Sequence, residues 1–194
     1  MNTQIINFEK SPVARGVFYG GNAGAKEAII YDEAVWMIKY PKTTRDLVNP
    51  QISYTTSPLS EYLGSKIYEI VGMPVHEVMM GTRKNKVVVA CKDFIRNSSE
   101  IDKSDRILNS HIAMFNIKKV LIPFHDLKNS FMSSDLDEYS GTGSETLLDE
   151  VLATIQGEVF LKQNVGVLER FWDMFVVDAF IGNNDRNNGN WDFY

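Results

Sequence analysis

One cysteine, Cys91, is all that 194 residues contain. A disulfide framework and a cysteine-built zinc site are therefore not expected, and the count suits a reducing cytoplasm. Histidine is nearly as scarce. His76, His111 and His125 show no metal-ligand spacing and read as three unrelated residues. An excess of basic charge is also missing: twenty Lys and Arg against twenty-five Asp and Glu leave a formal charge of −5. That balance argues against broad nucleic-acid binding, which needs a basic surface. No window reaches about 18 uninterrupted apolar residues, so no membrane partner is expected. Met1–Lys10 lacks a basic cluster followed by an apolar stretch, so no secretory signal is expected. No internal repeat is present.

What the sequence does have is apolar material for a core. Hydrophobic residues make up 44% of the chain and aromatics 11%, which excludes disorder as the main state. At roughly 150 residues per domain, the length fits one large domain or two small ones.

The first 95 or so residues read as β-rich. Gln4–Phe8 and Ala14–Phe18 are short β-prone runs, and Glu27–Tyr31 and Val35–Tyr40 are strands separated by Asp32-Glu33-Ala34. Ser57–Glu61 reads as a helix start with Ser60 as N-cap, and Leu63, Ile67, Ile70 and Val71 recur at helical spacing. Gly72 and Pro74 end that helix. Val75–Gly81 and Lys86–Ala90 resemble a hairpin around Thr82–Asn85. Polar clusters at Asn97–Asp105 and Lys128–Ser144 read as loops, with Ile107–Phe124 of undecided type between them. Glu145–Ile155 and Val167–Gly182 read as helices. The expected class is α+β, in two parts: residues 1–96, a β-sheet with one helix, and residues 97–194, mainly helical.

Three features carry chemistry. The first is the run Ile181–Trp191, which holds Asp185 and Asn190 in a D-x-x-x-x-N spacing. That is the spacing of a protein-kinase catalytic loop, where the carboxylate reaches an acceptor hydroxyl and the amide oxygen reaches magnesium. It is equally the composition of a polar turn after a helix. The second is the glycine loop Gly20–Lys26, whose glycines let backbone N–H groups approach phosphate oxygens, though such stretches are also hairpin turns. The third is Lys39, which ends the strand Val35–Lys39 and is placed like a phosphate-gripping lysine. Glu61 is a candidate ion-pair partner for it, or simply a first-turn glutamate favoured by the helix dipole.

The order is more informative than any one feature. Glycine loop, strand lysine, helix with glutamate, hairpin, lobe break, then helix and D-x-x-x-x-N is the order of a two-lobed kinase. On Tyr19–Lys26, Trp36–Pro41, Ser60–Val75, Val87–Phe94 and Asp178–Phe193, the chain resembles the HipA-like serine/threonine protein kinases. The likeness is to the short branch that lacks the N-terminal extension and includes bacterial cell-translocating members.

The resemblance implies a protein-kinase-like fold with a β-rich N-lobe and a partial helical C-lobe. It implies ATP and Mg²⁺ as cofactors and a protein Ser or Thr hydroxyl as acceptor. Gly21, Asn22, Gly24 and Lys26 would line the phosphates, and Lys39 would hold the α/β-phosphates. Cys91–Phe94 would be the hinge beside adenine, through backbone groups of Lys92 and Phe94. Asp185 would be the catalytic aspartate and Asn190 a metal ligand. Asn187 stands where family members commonly have histidine, and the glycine loop has no serine. Family kinases also continue beyond the catalytic loop into a segment that supplies a second metal-binding aspartate, and that part of the family fold is expected to be missing here.

Two readings follow. The chain is a HipA-like kinase or an N-terminal portion of one, or it is a truncated pseudokinase that binds a nucleotide or a partner without phosphotransfer. Expected partners are a protein substrate and, for the face of Val167–Gly182, the missing C-terminal lobe, a second copy or an antitoxin-like protein. The expected location is the bacterial cytoplasm, with signal-independent secretion left open.

Overall fold

A computed structural model describes residues 4–19, 25–41, 58–97, 121–135, 147–183 and 186–193. The chain divides into two compact units, Met1–Asn116 and Ile117–Tyr194. The sequence-based division at 96/97 falls at the end of the last long strand. Most of the undecided stretch Ile107–Phe124, and the polar cluster after Asn97, lie outside the described residues.

The first unit is a five-stranded sheet with one helix. Its elements are β1 (Ile6–Asn7), β2 (Lys26–Tyr31), β3 (Ala34–Lys39), α1 (Pro58–Ile70), β4 (Val78–Arg83) and β5 (Lys86–Asn97), with strand order β1-β4-β5-β3-β2. Two tight hairpins set the register. Asp32 and Glu33 join β2 to β3, and Lys84 and Asn85 join β4 to β5, all four at positive φ. That backbone matches the right-handed twist of paired strands. β1 runs parallel to β4 with Ile6 opposite Gly81. A Cβ at Gly81 would collide with the Ile6 carbonyl and the Phe8 ring, so only glycine permits this approach.

Alternation along β5 divides the core between two faces. Val88 and Ala90 join Phe8, Ile29, Trp36 and Ile38 on one side. Val89 and Cys91 join Val78, Met80, Met37 and Tyr62 on the other, where α1 packs on β4 and β5. Lys39 shares its strand face with Met37 and so points to the α1 side.

A partly buried network forms on the sheet's other face. Glu27 on β2 accepts hydrogen bonds from Arg83 Nε (2.7 Å), Tyr40 Oη (2.7 Å) and Lys84 Nζ (3.1 Å). Arg83 in turn donates to the carbonyls of Phe8 and Ser11. Burial alone would raise the Glu27 pKa, but the hydrogen bonds from Arg83, Tyr40 and Lys84 outweigh it and hold the carboxyl at about 2. A carboxyl depressed from 4.5 contributes stability that is present above the unfolded pKa and lost as pH falls toward the folded one. Glu27→Gln should therefore destabilise the first unit by about 2–3 kcal/mol at neutral pH. The deficit should shrink between about pH 4.5 and pH 2, as wild type loses the same contribution. Urea melts at pH 7 and pH 3 check this, and a pH-independent deficit would refute it.

The second unit comprises β6 (Ile122–Pro123), α2 (Phe124–Asp135), α3 (Leu148–Gly157), the short α4 (Val159–Gln163), α5 (Val167–Ile181) and β7 (Asp192–Phe193), with β6 antiparallel to β7. Its core gathers Phe124, Val151, Ile155, Leu161 and Phe171, with Trp191 stacked on Phe124 at 4.0 Å. Lys128 is fully buried and paired with Glu150 at 2.7 Å.

Several expectations need correction. Ala14–Phe18 forms no strand. Val13 makes one isolated bridge to Ile29, and Gly16 at φ 77° turns the chain away. Ser60 is not an N-cap, because α1 already begins at Pro58, whose fixed φ suits a first helical position. β5 does not stop at Ala90 but continues to Asn97, so the expected hinge residues Cys91–Phe94 lie within a strand. The Lys128–Ser144 region is not all loop, since α2 runs to Asp135.

Candidate functional site

In the first unit, the last residue of β3 and the first turn of α1 meet. Lys39 Nζ lies 2.6 Å from Glu61 Oε1, both side chains about one-quarter exposed. The carboxylate sits where the helix dipole favours negative charge. Lys26 is directly opposite Lys39 in the β2–β3 register. Burial, and then the neighbouring Lys39 charge, lower the Lys26 pKa, with Glu61 opposing. Two ammonium groups share a corner with one carboxylate, so the corner is set to accept an anion. Gly21, Asn22 and Gly24 lie outside the described residues.

Tyr19, just before the glycine loop, is anchored to the sheet. Its hydroxyl donates to Asp93 Oδ2 at 2.8 Å, and Asp93 Oδ1 accepts the amides of Ile95 (2.8 Å) and Arg96 (3.0 Å). Burial and then this hydrogen bond raise the Tyr19 pKa well above its ordinary value. Sequence reading does not pair Tyr19 with Asp93. They are 74 positions apart, and the one local signal was an aspartate followed by backbone amides it could accept. Lys92 donates its amide to the Glu77 carbonyl at 2.9 Å, and its ammonium reaches Glu77 Oε2 at 2.9 Å. That leaves the Lys92 amide unavailable to a base, while Phe94 is half-exposed.

His76 and Cys91 lie close together. Each offers a ligand atom within 4.8 Å of the other and of a Glu61 carboxylate oxygen. Burial pushes the Cys91 thiol up to about 12 and lowers the His76 pKa, with weaker effects of Lys39 and Glu61.

In the second unit, α5 ends at Gly182, whose left-handed φ of 67° turns the chain into the loop. Asp178, buried in the last turn of α5, organises that loop. Its Oδ2 accepts from Arg186 Nε at 2.6 Å, and its Oδ1 accepts from Arg186 Nη2 (3.1 Å) and Asn183 Nδ2 (2.9 Å). Arg186 Nη1 also donates to the Asn190 carbonyl at 3.1 Å. Farther on, Asn187 Oδ1 accepts the Gly189 amide, and His125 N donates to the buried Asn188 carbonyl. Residues on both sides of Asp185 are therefore held, while Asn184 and Asp185 lie outside the described residues. Asn190 is exposed. Asp192 has its carboxyl raised by burial, with His125 opposing. On α5, Phe171 is buried, but Trp172, Phe175, Val176 and Phe180 are exposed.

No protein-family model matches the chain. It is 35% identical over 175 residues to the serine/threonine-protein kinase CtkA of Helicobacter pylori, covering 90% of this chain and 45% of that protein. The crystal structure of the Helicobacter pylori proinflammatory kinase CtkA superposes with a TM-score of 0.72 at 31% identity, covering 98% of this chain and 54% of that one. The chain is similar to CtkA in sequence and in fold. Its fold is α+β, with a kinase-type N-lobe sheet and a mainly helical second part, and the chain spans about half the length of the CtkA chains it matches. Among the described residues, no helix is long and apolar enough to cross a membrane.

Proposed function

We propose that the chain is an ATP-dependent serine/threonine protein kinase of HipA-like type, or an N-terminal portion of one, working in the bacterial cytoplasm where ATP is supplied. The observation that carries this reading is the Lys26–Lys39–Glu61 corner. Two cations and one carboxylate leave a net positive charge that suits polyphosphate, and Glu61 fixes the direction of the Lys39 ammonium. Lys39 would hold the α/β-phosphates, with Lys26 and the Gly21, Asn22 and Gly24 backbone beside them. Backbone groups of the Cys91–Phe94 stretch, other than the Lys92 amide, would meet the base.

ATP would supply the γ-phosphoryl group, and Mg²⁺, when bound, would neutralise its charge. Asp185 orients the Ser or Thr hydroxyl and takes its proton as the acceptor oxygen bonds to phosphorus and the β–γ bridge breaks. Asn190 would give one oxygen to the metal. Arg186, clamped on Asp178 and on the Asn190 carbonyl, ties the Asn190 end of the D-x-x-x-x-N run to α5. The exposed Trp172, Phe175, Val176 and Phe180 would be covered by the remaining half of a CtkA-like fold, which would also bring the second metal-binding aspartate.

The test is transfer of label from γ-labelled ATP to a serine/threonine protein substrate, using this chain alone and with the second half of CtkA supplied as a separate chain. Transfer is expected to be slow or absent alone and faster when supplemented. Asp185→Ala should lower the supplemented rate about 100-fold or more. Nucleotide binding with no transfer under either condition would favour the non-catalytic binding module. Undiminished transfer by Asp185→Ala would overturn the assignment of the base.

A further inference from the structure

Beneath the Lys39 corner, three elements bring together three metal-type ligands. Glu61 comes from the first turn of α1, His76 from the segment before β4, and Cys91 from β5. A carboxylate oxygen, a ring nitrogen and the sulfur all lie within 4.8 Å of one another. Ligand atoms on a tetrahedral zinc ion are about 3.3–3.6 Å apart, so side-chain rotations closing these gaps by up to about 1.5 Å would complete three vertices. A second observation points the same way: His76 Nε2 is buried and makes no hydrogen bond among the described residues. A ring nitrogen left without a partner in such a place is costly and is the atom a cation would take. Cys91 belongs to a cluster with Val78, Met80 and Val89, against which Met37 and Tyr62 pack, an apolar surround that limits solvent access to the sulfur.

We propose that Glu61, His76 and Cys91 form a binding site for a thiophilic divalent cation of the zinc class, with a fourth position open to water. Sulfur and imidazole ligands select such a metal over magnesium or calcium, which take oxygen. On binding, the thiol proton leaves to solvent and a sulfur–metal bond forms; no electron moves. Glu61 is already the partner of Lys39 at 2.6 Å, so the cation and the Lys39 ammonium compete for one carboxylate. Occupancy thereby loosens the Lys39–Glu61 pair. The inference rests on side chains of the first unit alone and stands apart from the nucleotide reading.

The probe is Co²⁺ alone, titrated into the metal-free, untagged 194-residue chain and followed by absorption. One equivalent should produce a thiolate-to-cobalt charge-transfer band with the intense visible bands of tetrahedral cobalt, and Zn²⁺ should displace it. Cys91→Ser should remove the charge-transfer band. His76→Gln, checked as folded by circular dichroism, should weaken Co²⁺ binding on the order of 100-fold. Lys39→Met, which removes the competitor, should tighten it by about tenfold. Absence of the charge-transfer band in the folded wild-type chain, or a band and affinity unchanged in His76→Gln, would overturn the site. An affinity unmoved by Lys39→Met would remove Glu61 from it.

Discussion

Asp178→Ala is expected to lower the stability of the second unit by about 2–3 kcal/mol, the scale of charge-assisted hydrogen bonds lost from a buried carboxylate. The Asp178 side chain is 8% exposed and Arg186 31%, so the stranded guanidinium recovers some water and the loss stays below that of a fully buried pair. Among the described residues, the hydrogen bonds from Arg186 and Asn183 are lost with the carboxylate. The α5 end and the following loop lose their shared anchor. Asp178→Asn keeps the shape and one acceptor and should cost less. Urea denaturation followed by tryptophan fluorescence reads this directly, because Trp191 is stacked on Phe124 just beyond the loop. An alanine variant with the wild-type midpoint would show that Asp178 is not the organiser.

Lys39→Ala should weaken ATP binding by about 10- to 150-fold, which corresponds to roughly 1.5–3 kcal/mol for a charge-assisted contact. The variant also leaves Glu61 three-quarters covered with its 2.6 Å partner gone, placing a negative charge where phosphate should sit. Lys26→Ala should have a smaller effect in the same direction, since Lys26 lies across the strand pair from Lys39. Lys39→Arg should not restore full affinity, because a planar fork does not present its charge as a compact ammonium does.

Much of the first unit was legible in the sequence because its signals are local. The β-prone runs at residues 27–31 and 35–40, separated by Asp32-Glu33-Ala34, place β2–β3 within about a residue of its bounds, whereas the expected hairpin around Thr82–Asn85 is present with its strands at Val78–Arg83 and Lys86–Asn97 instead of 75–81 and 86–90. The Lys39–Glu61 pair was suggested by element order and is realised at 2.6 Å. What failed to show was non-local. α2 has a polar sequence with weak helical signal, and it is held by tertiary packing of Phe124 and by the buried Lys128–Glu150 pair. Tyr19–Asp93 and Asp178–Arg186 join residues that no periodicity links. His76 and Cys91 carry no metal spacing along the chain; the sheet places them side by side. Ala14–Phe18 has strand-like composition, but Gly16 at φ 77° breaks the run.

The central claim is that the Lys26–Lys39–Glu61 corner receives nucleotide phosphates. Calorimetric titration of the folded 194-residue chain with ATP, with and without Mg²⁺, tests it most directly, with Lys39→Ala run alongside. The account predicts saturable binding at one site, strengthened by Mg²⁺ and weakened about 10-fold or more in Lys39→Ala. No heat of binding from the folded wild-type chain, or equal affinity in a folded Lys39→Ala variant, would contradict it.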